Sequence, residues 1–186
     1  MLGFAMCGSY CTHKKAIEQL TALIGYGYEI QPIMSENVYL TDTYFGRSAD
    51  LIKTVEELCG RSVIHTVAGA EPLGPKTPLE ALILCPCTGN TLAKMALGIT
   101  DTAVTMAAKA HLRSDRPLVI ALASNDALSA NLKNIGLLLT RKNVYFTPMR
   151  QDDPEKKPHS LVADFSLLIP TLDGAVRGKQ YQKIFV

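Results

Sequence analysis

The sequence predicts an α/β protein with a doubly wound parallel sheet, and three observations lead to that fold class. Short apolar runs alternate along the chain with segments whose apolar residues recur at helical spacing. Residues 79–85 are apolar almost without interruption, as expected of a strand that is covered on both faces. Glycine, proline and small polar residues separate these segments. Alternating strands and helices favour a parallel sheet with helices on both sides.

The first part of the chain is predicted to contain three strands and two helices. The strands are expected at residues 2–7, 29–34 and 62–67, and the helices at residues 12–24 and 49–58. Gly25 and Gly27 close the first helical pattern, and Gly60 is the stop signal of the second. Residues 69–78 contain two glycines and three prolines, which predicts a loop.

The second part continues the alternation. Strands are expected at residues 79–85, 118–123 and 144–147, and helices at residues 91–97, 101–112 and 128–141. The charged segment 151–158, QDDPEKKP, is predicted to be an exposed loop, and the apolar residues 161–169 to begin a last helix. A chain of 186 residues is expected to form one domain over residues 1–186, with the C-terminal helix and tail after about residue 159.

Composition excludes several classes of function. The formal net charge is only +2, and no basic stripe or acidic tail indicates binding to nucleic acid or to a membrane surface. No apolar stretch approaches the roughly 18 residues of a membrane span, and no basic segment precedes the N-terminal apolar residues as in a secretory signal. The sequence therefore predicts a cytoplasmic protein with reduced thiols.

The five cysteines do not indicate a metal site. Cys7 and Cys11, like Cys85 and Cys87, lack C-x-x-C spacing, and no paired histidines accompany them. Cys85 and Cys87 are candidate nucleophiles, but small buried cysteines are the more common outcome.

Polar residues gather where the predicted strands end. These ends read CGSYCT at 7–12, MSEN at 34–37, PCTGNT at 86–91 and ASND at 123–126. Ligands of doubly wound sheets bind outside the carboxyl ends of the strands, at the point where the strand order reverses. The sequence therefore predicts one ligand site along this edge.

Individual residues at this edge allow two interpretations each. Gly8 and Ser9 could present N–H and hydroxyl groups to an anion, or could form a tight turn in which Ser9 or Thr12 caps a helix. Asn90 and Thr91 could bind a ligand or cap the next helix.

Charged side chains near the edge are equally ambiguous. His13 could face a ligand, although a solvated helix position is favoured, and His159 is expected to begin the last helix. Asp101 is expected to cap the helix that follows it. Arg47 and Arg150 could pair with a carboxylate substrate or be solvated.

Residues 85–123, CPCTGNTLAKMALGITDTAVTMAAKAHLRSDRPLVIALA, resemble the flavoprotein family of flavin-containing cysteine decarboxylases and flavin prenyltransferases. That family carries a Pro-x-Ser/Thr-x-Asn/Lys-Thr turn, an AKxAxGxxD stretch and an RPLVxxP segment. Its first strand ends in a Gly-Ser turn before a helix, as GSYCTHKKA does here. The resemblance covers about residues 2–148 and implies a Rossmann-like flavoprotein fold.

The resemblance also implies roles for single residues. FMN is the expected cofactor, with Gly8 and Ser9 at its phosphate and Ser35 near its isoalloxazine ring. The remaining residues expected to contact FMN are Thr88, Thr91 and Thr105. Asn90 stands where decarboxylases of the family hold the substrate carboxylate. Arg47 is a second candidate for carboxylate binding, because guanidinium and amide groups suit planar anions.

The resemblance is most detailed to one component of a two-subunit oxidoreductase of spore-forming bacteria. It implies oxidation of a dihydropyridine dicarboxylate from the lysine pathway, beside a nicotinamide-dependent partner that binds NAD(P). A homo-oligomer, a trimer or a dodecamer, is expected in the cytoplasm of the mother cell.

Three departures from the family pattern keep alternatives open. Met106 replaces the arginine of the prenyltransferases, residues 123–126 replace their Arg-Glu-Thr-Pro segment, and residues 41–48 lack the histidine of the cysteine decarboxylases. A prenyltransferase is therefore disfavoured. The chain could instead be a non-catalytic substrate-binding or assembly subunit, or an FMN-dependent decarboxylase of another carboxylate.

Overall fold

The computed structural model describes residues 1–186, and its elements confirm the alternation of strands and helices. The strands are β1 (Leu2–Met6), β2 (Ile30–Met34), β3 (Leu82–Cys87), β4 (Leu118–Ser124), β5 (Val144–Phe146), β6 (Met149–Arg150) and β7 (Leu161–Ala163). The helices are α1 (His13–Gly25), α2 (Glu36–Leu40), α3 (Ser48–Cys59), α4 (Val67–Ala70), α5 (Gly89–Leu97), α6 (Ala103–Leu112), α7 (Leu132–Leu139) and α8 (Leu168–Val176).

The central sheet is doubly wound and mostly parallel, as predicted. β1 lies between β2 and β3, β4 follows β3, and β5 pairs with the first half of β4, all in parallel. From β1 the chain first adds a strand on one side and then turns to the other side with β3. The strand order therefore reverses between β1 and β3, which is where such sheets bind ligands.

Helices cover both faces of the sheet. Successive side chains of β3 point to opposite faces, so that Leu82 and Leu84 join one apolar cluster while Ile83 and Cys85 join the other. Both clusters are buried, which explains why this strand reads as a continuous apolar run.

β3 contains a bulge where it reaches the site. Leu84 pairs with Ile120 and Cys87 pairs with Leu122, so three steps along β3 match two steps along β4. Pro86 lies in this interval and has no N–H to donate, which fits an irregular position in the ladder.

The predicted strand at residues 62–67 is wrong. Only Ile64 forms a bridge, to Ile33, and the chain then turns into the short helix α4. The Thr66 hydroxyl caps this helix by accepting a hydrogen bond from the Gly69 N–H at 3.1 Å. Side-chain capping competes with strand pairing for threonine, so the β-branched pattern was misleading here. The short helix α2, at Glu36–Leu40, was missed because the segment is only five residues long.

The last helix begins later than predicted. Residues 161–163 form β7, which pairs antiparallel with the end of β4 through Ala123 and Ser124 and also pairs with β6. β5 pairs only with Leu118–Ile120 and leaves the rest of β4 without a partner on that side. The free backbone groups of β4 are satisfied by β7, and a 3-10 turn at Phe165–Leu167 then leads into α8.

The helix predicted at residues 128–141 is also shorter in the structure. The backbone carbonyl of Asp126 accepts hydrogen bonds from the Ser129 and Asn131 N–H groups, both at 3.1 Å, and this turn delays α7 until Leu132. None of the helices combines the length and the apolarity that crossing a membrane would require.

Candidate functional site

The carboxyl ends of the central strands line two adjoining cavities. The larger, of about 760 Å³, contacts the ends of β1, β3 and β4, and the smaller, of about 410 Å³, contacts the ends of β1, β2 and β3. Gly8, Tyr10, Thr88 and Asn90 line both cavities. The two cavities therefore form one continuous site at the point where the strand order reverses.

Most of the predicted cofactor residues meet at this site. Ser9 lines the larger cavity, Ser35 and Thr91 line the smaller one, and Gly8 and Thr88 line both. They come from three different strand ends, so only the parallel sheet brings them together. The site is rich in hydroxyl groups and in the N–H groups at the start of α5, which suits an anionic, hydroxylated ligand.

Hydrogen bonds fix the turn between β1 and α1. The Thr12 hydroxyl donates to the Ser9 carbonyl at 2.8 Å, and His13 Nε2 lies 2.9 Å from the Cys7 carbonyl. Because a carbonyl only accepts, Nε2 of His13 carries the proton. The expected solvated position of His13 is therefore wrong, since its side chain is buried beneath the turn and burial lowers its pKa.

The turn between β3 and α5 is capped by Thr88 and not by Asn90 or Thr91. The Thr88 hydroxyl accepts from the Thr91 N–H at 3.3 Å and donates to the Thr91 hydroxyl at 3.2 Å. Thr91 in turn donates to the Cys7 sulfur at 3.3 Å, which ties β1 to α5. The amide of Asn90 is exposed and forms no hydrogen bond within the chain, so it remains available to a ligand.

Cys85 and Cys87 pack in the interior, as expected. Both are free thiols with 0% exposure, beneath the site and not at its surface. Burial raises the pKa of Cys85 well above its usual value, and a hydrogen bond to Cys7 together with burial does the same for Cys87. A buried thiol with a raised pKa is a poor nucleophile.

A polar cluster at the end of β4 was missed by the sequence analysis. Asp126 accepts hydrogen bonds from the Ser124 hydroxyl and, at 2.9 Å to each carboxylate oxygen, from the Asn131 amide. The bond from Ser124 and then that from Asn131 lower the pKa of Asp126. Asn134 completes the cluster by donating to Asn131 at 2.9 Å. The ASND pattern marked the strand end, but Asn131 and Asn134 lie on the following turn and helix.

Glu36 is a second residue that the sequence analysis missed. Its Oε1 accepts a hydrogen bond from the Ala103 N–H at 3.0 Å, which places a carboxylate at the first turn of α6. Its Oε2 is buried at the smaller cavity without any partner. The only sequence signal was the position of Glu36 within the polar strand end MSEN.

Asp101 does not cap α6, contrary to expectation. Its carboxylate accepts from Lys94 at 2.9 Å, and Thr102 caps the helix in a reciprocal capping box with Thr105. The Thr105 hydroxyl is thus engaged with Thr102, and Thr105 lines a separate cavity of about 210 Å³. The structure does not bring Thr105 together with the other predicted cofactor residues.

Arg47 also lies apart from Asn90. It lines a fourth cavity, of about 360 Å³, together with Lys14. This cavity shares Tyr10, Cys11 and Phe45 with the larger one but does not include Asn90. The two residues predicted to hold the substrate carboxylates therefore face neighbouring cavities.

The remaining charged candidates, His159 and Arg150, do not line the two adjoining cavities. His159 does not begin a helix, since its carbonyl accepts from the Leu128 N–H at 2.9 Å just before β7. Arg150 lies 3.9 Å from the Asp164 carboxylate. No group of three or more histidine, cysteine or acidic side chains is arranged to hold a metal ion.

Comparison with known proteins agrees with this fold and identifies a family. The B subunit of dipicolinate synthase from Bacillus subtilis (strain 168) is 43% identical over 185 residues, covering 100% of this chain and 92% of the relative. The crystal structure of the dipicolinate synthase B subunit from Bacillus halodurans C has a TM-score of 0.91 at 40% identity, covering 100% of this chain and 95% of that one.

More distant relatives share the fold. The structure of the FMN-dependent cysteine decarboxylase SpaF has a TM-score of 0.68 at 21% identity, covering 95% of this chain and 94% of that one. Residues 1–162 match the Flavoprotein family itself. The chain therefore belongs to the Flavoprotein family, and it is similar along its whole length to the B subunit of dipicolinate synthase.

Proposed function

We propose that the chain is the FMN-binding subunit of a dipicolinate synthase, which oxidises a dihydrodipicolinate-type intermediate of the lysine pathway to dipicolinate. Its partner would be the A subunit of dipicolinate synthase, carrying NAD(P). The observation that carries the proposal is the 43% identity to a B subunit over the full chain. The continuous polar site at the strand ends supports it, because it joins a space for a cofactor to a space for a small substrate.

The residues at the site fit FMN. The two cavities, of about 760 and 410 Å³, lie within the usual range for small-molecule sites. Ser9 and the N–H groups that begin α5 are donors suited to a phosphate, and Ser35 remains the residue expected near the isoalloxazine ring. The unpartnered Oε2 of Glu36 is a buried acceptor that suits the hydroxyl groups of a ribityl chain.

In this proposal Gly8, Ser9, Ser35, Thr88 and Thr91 hold the cofactor. FMN, when bound, supplies the capacity to accept a hydride, and aromatisation of the dihydropyridine ring favours the transfer. Asn90, which lines both cavities, orients the substrate by donating to a carboxylate from its exposed amide. The polar cluster around Asp126 supports the floor of the larger cavity.

The spectrum of the purified protein tests the proposal. We expect a yellow protein with one FMN per chain, and formation of dipicolinate when the A subunit, the oxidised nicotinamide NAD(P)+ as electron acceptor and the dihydro substrate are added. A colourless protein that takes up no added FMN would overturn the role in flavin binding. Dipicolinate formation at an equal rate by the isolated A subunit would overturn the role as a required component.

A non-catalytic substrate-binding or assembly subunit is the second candidate. Met106 stands where the prenyltransferases have an arginine, and the Glu36 carboxylate adds a negative charge beside the smaller cavity. Both features weaken a phosphate site. The flavin spectrum separates this candidate from the first.

A third candidate is an FMN-dependent decarboxylase. It is supported by distant relatives alone, and release of CO2 from a carboxylate substrate would identify it.

The proposal includes a homo-oligomer, a trimer or a dodecamer, in the cytoplasm of a sporulating mother cell. One distant relative of the same fold is described as a dodecameric FMN-dependent decarboxylase. Leu40, Tyr44 and Phe45 expose 72%, 100% and 65% of their surface, which suits an interface between copies of the chain. The free cysteines fit a reducing compartment.

A further inference from the structure

Three polar side chains of the larger cavity are not assigned to the cofactor and have no partner in the chain. Lys15, Asn90 and Asn125 line this cavity, and none of their side chains takes part in a hydrogen bond or ion pair. Each of the three carries at least one donor, so together they suit a ligand with several acceptor oxygens.

The acidic side chains of the same cavity are already engaged. Asp126 binds Ser124 and Asn131, and Asp152 accepts from Lys157 at 2.9 Å. The charge of Lys157 is therefore balanced by Asp152. Lys15 is the remaining cation of the cavity and forms no ion pair, while Asp126, held only by the neutral Ser124 and Asn131 groups, keeps its negative charge at the end of β4.

We propose, building on the function proposed above, that Lys15 determines the specificity of the larger cavity for a dicarboxylate by binding one carboxylate while the Asn90 and Asn125 amides bind the other. A positive charge that forms no ion pair favours an anion over a neutral analogue of the same shape. Amide donors on the β3 and β4 ends then hold the second carboxylate group of a planar ring.

Lys14 provides a matched comparison inside the same helix turn. Lys14 and Lys15 are adjacent, exposed and in the first turn of α1. Lys14 lines the cavity of Arg47, whereas Lys15 lines the cavity of Asn90. Removing each charge in turn therefore tells which of the two cavities receives the dicarboxylate.

Calorimetric titration of the full chain with pyridine-2,6-dicarboxylate, in buffer without divalent cations, tests the proposal. We expect Lys15→Gln to weaken binding about tenfold, the usual effect of losing a charged hydrogen bond. Lys15→Arg and Lys14→Gln should each stay within about threefold of the wild type, because both keep a positive charge at position 15. The neutral analogue pyridine-2,6-dicarboxamide should bind Lys15→Gln and the wild type alike.

Each outcome decides a separate point. Equal affinity of Lys15→Gln and the wild type for the dicarboxylate would overturn the role of Lys15. If only Lys14→Gln or Arg47→Gln weakens binding, the dicarboxylate binds in the neighbouring cavity. This result would also overturn the role of Lys15. Dicarboxylate binding that depends on Lys15 in a chain that takes up no FMN would uphold the role of Lys15 and overturn the proposed flavin chemistry. A wild type that does not bind the dicarboxylate would overturn the role of Lys15, whereas the role in flavin binding is decided separately by the visible spectrum.

Discussion

The buried side chain of His111 is expected to make the stability of the fold depend on pH. Its Nε2 lies 2.9 Å from the Pro117 carbonyl, so this nitrogen carries the proton and Nδ1 does not. Nδ1 is buried without a partner, and the side chain has 0% exposure. Protonation would place a second N–H in the interior with no acceptor. Burial is the main reason why the pKa of His111 lies below its usual value.

We expect the free energy of unfolding to fall as the pH drops below about 6.5, the pKa of an unfolded histidine. Below that pH the unfolded chain binds a proton at His111 that the folded chain resists, so protonation favours unfolding. The free energy of unfolding, measured in urea, should fall less from pH 7 to pH 5 in His111→Gln than in the wild type. His159→Gln, which alters an exposed histidine, is the control. An equal loss in the wild type and His111→Gln would contradict this account.

Asn90 is the residue whose loss should separate activity from stability. Its amide is exposed and unbonded, so Asn90→Ala should change the free energy of unfolding by less than about 0.5 kcal/mol. If the amide orients a substrate carboxylate, the rate of dipicolinate formation in the presence of the A subunit should fall about 100-fold. Binding to the A subunit should stay intact in a pull-down. Unchanged turnover in the variant would rule out the role.

Among the elements, α5 depends on a close approach that only glycine permits. A Cβ on Gly89 would lie 2.5 Å from the Ser124 hydroxyl, 2.6 Å from the Asn131 amide and 2.8 Å from the Asp126 carboxylate. The first turn of α5 thereby packs directly against the polar cluster at the end of β4. This contact joins the two strand ends that bear Asn90 and Asn125.

Gly89→Ala should lower the free energy of unfolding by about 1–3 kcal/mol, the usual cost of forcing atoms into a packed site. In the helix α7, Gly136 has no neighbour within 4 Å of an added Cβ, so Gly136→Ala serves as the matched control. That control should stabilise the protein by about 0.5–1 kcal/mol through its helix propensity. Thermal unfolding of both variants gives the comparison. Stabilisation by Gly89→Ala would show that the polar cluster can move aside.

At the scale of the whole molecule, the exposed apolar residues between α2 and α3 are expected to form an interface between copies of the chain. Tyr44 is fully exposed and neighbours Phe45, and both lie on the loop beside the Arg47 cavity. In sedimentation velocity we expect a trimer or larger assembly that Tyr44→Ser shifts toward smaller species. Tyr26→Ser, at another exposed tyrosine with 71% exposure, should leave the assembly intact. A monomeric wild type would contradict the proposed interface.

The one-domain organisation stays a prediction that unfolding can test. One sheet runs through the chain, with β7 returning from the C-terminal segment to pair with β4. We expect far- and near-ultraviolet circular dichroism to report a single coincident transition in urea. Two separate transitions would indicate that the segment after about residue 159 unfolds on its own.

The alternation of elements, the buried strand β3 and the polar strand ends were readable from the order of residues, because periodicity and turn chemistry are local properties. That information was enough to place Gly8, Ser35, Thr88 and Thr91 along one edge. Residues 62–67 and 161–163 were misassigned because their backbone partners lie far away in the chain, at Ile33 and at the end of β4. The same reason explains why Glu36 and Asn131 were missed, and why Arg47 and Asn90 face different cavities. Contacts between distant segments decide which side chains line the same cavity. These contacts arise only when the sheet has formed.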